Sequence, residues 1–129
     1  MIRASVPKNL KRWFIIHGII DLFFAIPLIA IPEVVLQVFG FQIENVLIAR
    51  MVGAALCAIG ISSLLSLEAS RLVYDAFLTL KIIWSLTVIL SIFLALTSDN
   101  TPNSIWLLLG IFGFFSGVWI YYKVHFKSR

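Results

Sequence analysis

Apolar residues fill four long runs of the chain, and the polar residues collect mainly between them. The runs cover about residues 13–31, 45–67, 71–97 and 104–123. A helix rises about 1.5 Å per residue, so about 20 residues cross a hydrocarbon core of about 30 Å. Each run meets that length. The pattern predicts an all-α, polytopic membrane protein, with four transmembrane helices in an antiparallel bundle forming one domain over 1–129. The first run carries Asp21 and has no A-x-A site before Pro32, so it reads as a span and not as a cleaved signal peptide.

The first connection, "PEVVLQVFGFQIEN", is more than a loop. Proline suits the start of a helix and glycine its end. Pro32 and Gly40 therefore bracket a short amphipathic helix over 33–39, expected to lie in the interface between spans one and two. The connection "SDNTPN" at 98–103 reads as a polar hairpin turn.

Composition sharpens this picture. Hydrophobic residues make up 61% of the 129 and charged ones 12%, against about 25% charged in soluble domains. The basic residues flank the runs. Arg3, Lys8, Lys11 and Arg12 precede the first, Arg71 lies between the second and third, and Lys123, Lys127 and Arg129 follow the fourth. The other two connections have neither Lys or Arg; they carry Glu33, Glu44 and Asp99. By the positive-inside rule both termini face the cytoplasm and the protein sits in the cell membrane. Trp13, Trp119, Tyr121 and Tyr122 then belong to the inner aromatic belt and Trp106 to the outer. The positive charge of +4 follows this topology, and no nucleic-acid partner is expected. Cys57, the single cysteine, reads as a small packing residue.

Membrane helices associate where small residues let backbones approach. The second span has Ala49, Gly53 and Cys57 at spacing four, and the fourth has Gly110, Gly113 and Gly117. Both read as contact faces, used inside the protein or between copies, with the internal use favoured. Pro27 is expected to kink the first span.

Ionisable residues inside the spans carry the candidate chemistry. In "WFIIHGIIDLFF", His17 and Asp21 lie four apart on one face. Arg50 shares the face of Gly53 and Cys57 and is expected to point into protein; Lys81 shares a face with Tyr74 and Ser85. Asp21 and Lys81 both lie about 15 Å deep. Charges at such depth normally face the interior and pair. Asp21 and Arg50 are expected to meet, with Lys81 and His17 close by. The plain reading is that these groups neutralise one another and select which helices meet. The sharper one is a ligand or proton site built from His17, Asp21, Arg50, Lys81 and Ser85. Asp75, near the cytoplasmic end, is expected to pair with Arg71 or with the basic tail.

"IARMVGAALCAIGISSLL" at 48–65, with the preceding "PEVVLQVFGF", resembles the second-helix signature of small four-helix membrane proteins of the DoxX-like group. The resemblance implies a four-helix bundle with both ends cytoplasmic. It also implies kinship with subunits of quinone-linked oxidoreductases and with assembly factors for other membrane proteins. Only Arg50 and Gly53 carry over by position; the His17/Asp21 pair matches no role in that group. The chain has no catalytic constellation, metal-ligand spacing or nucleotide loop, so the reading leans away from an enzyme without closing that option, and no cofactor is expected. A non-enzymatic accessory, assembly or partner subunit of a membrane complex is the first reading, with a second membrane protein or a second copy as partner beside the lipid bilayer. A small-ligand or lipid-binding bundle, or transporter subunit, with a polar intramembrane site is the alternative.

Overall fold

A computed structural model describes residues 5–98 and 100–127 of the chain, the Lys127 side chain excepted. Arg3, Asp99 and Arg129 lie outside the described residues. Five helices follow one another: α1 Lys8–Ala30, α2 Pro32–Phe39, α3 Val46–Leu65, α4 Arg71–Ala95 and α5 Ile105–Lys127. No strand occurs among the described residues. α1, α3, α4 and α5 are long and apolar enough to cross a membrane. Their outward faces are apolar too, as at Phe23, Ile26, Leu72 and Leu94, which suits acyl chains and not water.

The helix ends follow local chemistry. α1 starts five residues before Trp13, because the basic flank from Lys8 to Arg12 is helical as well. The apolar run marks the part suited to lipid, not the first helical residue. α1 stops where Ile31 meets Pro32, since a residue before proline is disfavoured in the α conformation. Pro27 lies within the helix, and its carbonyl accepts the Ile31 N–H at 2.8 Å.

Pro32 opens α2, and Gly40 closes it at φ 77. The Gly40 N–H donates to the Gln37 carbonyl at 3.0 Å and the Phe41 N–H to the Leu36 carbonyl at 2.8 Å. That pair of bonds is a Schellman ending, and its left-handed position favours glycine because a Cβ there is strained. α3 is capped by the Asn45 side chain, which accepts the Ile48 N–H at 3.4 Å. The last turn of α4 is covered by hydroxyls: Ser98 and Thr101 each donate to the Ala95 carbonyl at 2.7 Å.

The described residues divide into two compact units, one over 6–69 and one over 70–127. In the first, α1 and α3 run antiparallel, with Gly18 opposite Gly60 and Leu28 opposite Gly53. The Phe39 ring of α2 meets Phe24 of α1 edge-on at 6.3 Å. Lys11 and Glu68 pair at 3.2 Å across the far end. With Glu68 almost fully in solvent, that pair contributes little.

In the second unit α4 and α5 form an antiparallel hairpin. The Arg71 guanidinium lies 4.4 Å from the Phe126 ring centroid and donates to the Phe126 carbonyl. Lys123 donates to the Asp75 carboxylate at 2.6 Å, to the Asp75 carbonyl at 3.1 Å and to the Thr79 hydroxyl at 2.8 Å. An ammonium has three donors, so this one is fully used. Of the two partners anticipated for Asp75, the basic tail supplies the one that forms.

Candidate functional site

His17 and Asp21 sit about three and four turns into α1, on the buried stripe that also holds Leu10, Phe14, Gly18 and Ala25. The His17 Nδ1 lies 2.9 Å from Asp21 Oδ2. The contact is an ion-pair distance, but Oδ2 accepts no well-aligned hydrogen bond among the described residues. Both residues are more than nine-tenths buried.

This pair lies where α1 and α3 pack closely. A Cβ on Gly60 would stand 3.0 Å from Asp21 Cβ and 3.0 Å from the Gly18 carbonyl oxygen. One on Gly18 would stand 3.1 Å from the Gly60 carbonyl oxygen. Such distances leave no room for a side chain at either position, so two glycines let the backbones approach. Gly53 does the same a helical stretch away, with Leu28 Cβ and Ile29 Cγ1 each 2.9 Å from where its Cβ would be. Cys57, on the same side of α3, is half-buried.

Arg50 departs from expectation. Its side chain is exposed, not turned into the protein, and its Nε donates to the Ile29 carbonyl at 3.2 Å. Ile29 belongs to the last turn of α1, where helix carbonyls lack partners along the chain and carry partial negative charge. Asp21 lies eight residues earlier, about 12 Å along the axis. Arg50 and Asp21 therefore do not pair. The reason is reach: a long side chain starting on the contact face can leave it for an unpaired carbonyl at the helix end.

Lys81 and Ser85 lie on α4, in the second unit, on a buried stripe with Tyr74 and Leu78. Lys81 is 1% exposed, and its Nζ lies 5.1 Å from the Trp119 ring centroid. A ring face attracts a cation, most strongly when both are desolvated. Ser85 donates to the Ile82 carbonyl at 3.1 Å. The structure thus joins His17 to Asp21 in one unit and Lys81 to Trp119 in the other.

Trp119 corrects the belt reading. It is buried, stacked on Phe115 with ring centroids 6.0 Å apart. No atom of a described residue lies within 4 Å of where a Cβ would stand on Gly110, Gly113 or Gly117. α5 buries Phe115 and Trp119, and residues two apart on a helix are about 200° apart around it, so these glycines lie on another side of α5. Two large rings offer more van der Waals contact to a neighbouring helix than glycine does.

Sequence reasoning missed Gly18, Gly60, Ser63 and Ser116. Gly60 had a signal, seven residues from Gly53 and so on nearly the same face. Ser63 is fully buried and donates back to the Ile59 carbonyl at 2.7 Å. Ser116 is buried with no hydrogen-bond partner among the described residues. No three His, Cys, Asp or Glu side chains converge on a metal-sized space among the described residues.

Four helices long and apolar enough to span a bilayer, with apolar outward faces, are the make-up of a small multi-pass membrane protein. No protein-family model, curated protein or solved structure matches the chain.

Proposed function

We propose that the chain is a non-enzymatic membrane subunit that acts by associating with another membrane protein. One observation carries the reading. The small-residue face of α5, with Gly110, Gly113 and Gly117, has no described atom within 4 Å of where a Cβ would stand, while Phe115 and Trp119 of the same helix are buried. In lipid, helices gain nothing by hiding leucine from the solvent, so an open small-residue face is where a further helix gains van der Waals contact. The charged groups support the same reading: His17 is matched with Asp21, and Lys123 with Asp75. The resemblance to DoxX-like assembly factors and oxidoreductase subunits points the same way.

Gly113→Leu is expected to abolish that association without unfolding the hairpin, because no described atom lies within 4 Å of where its Cβ would stand. Native mass spectrometry of protein gently extracted from membranes reads both. Wild type should carry a stoichiometric second protein that the variant loses, with helicity unchanged by circular dichroism. A partner retained by a folded Gly113→Leu protein would refute the use of this face. A second copy in place of a different protein would make it a homo-oligomer interface.

The chain is placed in the cell membrane with both termini cytoplasmic, supported by eight basic residues flanking the spans on one side and none on the other. Single cysteines introduced at Ser5 and Asn103, in a Cys57→Ser background, should report this. Asn103 should react with an impermeant maleimide in intact cells and Ser5 only after permeabilisation. The reverse labelling would invert the topology.

A second reading has its own observation, the buried His17–Asp21 pair within a span. Ionisable groups at such depth mark ligand or proton sites as well as helix contacts. A small-ligand or transport role requires that ligand binding or transport fail in His17→Gln and Asp21→Asn while the protein stays folded.

A further inference from the structure

Between Arg12 and Arg71, Arg50 is the only Lys or Arg of the chain. It is the fifth residue of α3, about 6 Å along the axis from where that helix begins. Its flanks are apolar and exposed: Leu47 at 66% and Met51 at 62%. The face therefore belongs to lipid, and the guanidinium lies within a side chain's length of the hydrocarbon edge.

A guanidinium has five N–H donors. The Ile29 carbonyl takes the one on Nε. The Nη groups make no hydrogen bond or ion pair with a described residue, and neither Glu33 nor Glu44 pairs with Arg50. The bond to Ile29 does more than occupy a donor. It anchors one edge of a rigid planar group and leaves the opposite fork, with its parallel N–H bonds, fixed in direction. That fork matches two oxygens of a phosphate. The partial positive charge at the start of α3 lies on the same side.

We infer that Arg50 is a phosphate-binding residue, and that its ligand is the phosphate of a phospholipid seated against Leu47 and Met51. The site has two parts: a cation held by the α1 carbonyl for the headgroup, and apolar side chains of α3 for the acyl chain. A charge at the edge of hydrocarbon is stabilised by a counter-charge as well as by a carbonyl, and the headgroup layer carries phosphate. This inference is independent of the proposed association through α5.

The experiment uses full-length protein in a neutral maltoside detergent. Dioleoyl phosphatidylglycerol, dioleoyl phosphatidylcholine, dioleoylglycerol and inorganic phosphate are titrated separately and read by native mass spectrometry. Wild type should bind one copy of either phospholipid in preference to dioleoylglycerol, which has the acyl chains without the phosphate. Arg50→Met should weaken phospholipid binding about tenfold or more, the scale of a lost charge-assisted bidentate contact. Arg50→Lys keeps the charge and can still reach the Ile29 carbonyl but has no fork, so its affinity should fall several-fold. It serves as the test if Arg50→Met fails to fold. Unchanged phospholipid binding in a folded Arg50→Met or Arg50→Lys protein would overturn the inference. Inorganic phosphate binding as tightly as the phospholipids would overturn the lipid assignment.

Discussion

Gly60→Leu is expected to push α1 and α3 apart and to lower the stability of the chain markedly. A bare Cβ at that position already meets Asp21 Cβ and the Gly18 carbonyl oxygen at 3.0 Å. The second contact is with backbone, which cannot rotate away. A leucine adds three further carbons, and overpacking of that kind costs roughly 2–3 kcal/mol or more. In a bilayer the loss bears on association itself, because close backbone contact drives helix pairing there. Gly60→Ala should fall between leucine and wild type. The check is equilibrium unfolding in mixed micelles of dodecyl sulfate and maltoside, followed by far-ultraviolet circular dichroism. A wild-type midpoint for Gly60→Leu would show that the two helices do not meet at this glycine.

The second large effect concerns the His17–Asp21 pair, and it is asymmetric. His17→Leu leaves a buried carboxyl with its ion-pair partner gone. Removing one member of a buried pair costs roughly 3–5 kcal/mol, because the other is left uncompensated. Asp21→Leu leaves an imidazole, which carries no obligatory charge, so the loss should be smaller. The double replacement removes the buried polar groups together, and its cost should fall well below the sum of the two. A coupling above about 1 kcal/mol in the double-mutant cycle would place the two side chains in one interaction. Strict additivity would mean that the 2.9 Å approach contributes nothing. The same micellar unfolding assay reads all three variants.

The two hairpins reveal how much of this was legible along the chain. The four spans were, because acyl chains impose the same demand on every outward residue and about 20 apolar positions in a row satisfy it. α2 was also legible. Pro32 and Gly40 act through their own backbones, one by a fixed φ and a missing N–H, the other by adopting φ 77. The approach of His17 to Asp21 followed from helical periodicity alone, since residues four apart lie one above the other.

The partner of each remaining group was not legible, because it depends on a second helix. Gly53 and Gly113 look alike in sequence, each part of a small-residue stripe. Gly53 faces Leu28 and Ile29 of α1, whereas Gly113 faces away from the side on which α5 buries its aromatic rings. Periodicity put Arg50 on the face of Gly53, but a flexible side chain is not confined to the face its Cα occupies. It found an unpaired carbonyl at Ile29 instead of the Asp21 carboxylate.

The sequence by itself determined what kind of object this protein is: four helices long and apolar enough to span a membrane, and the short helix between the first two. These depend on one residue's relation to solvent or to its own backbone. Only the tertiary structure decided which glycines touch, that His17 and Asp21 lie against Gly60, that Lys81 lies near Trp119 and that Arg50 leaves its fork open. Those outcomes depend on the rotation and offset of one helix against another, which side-chain volumes on both set together.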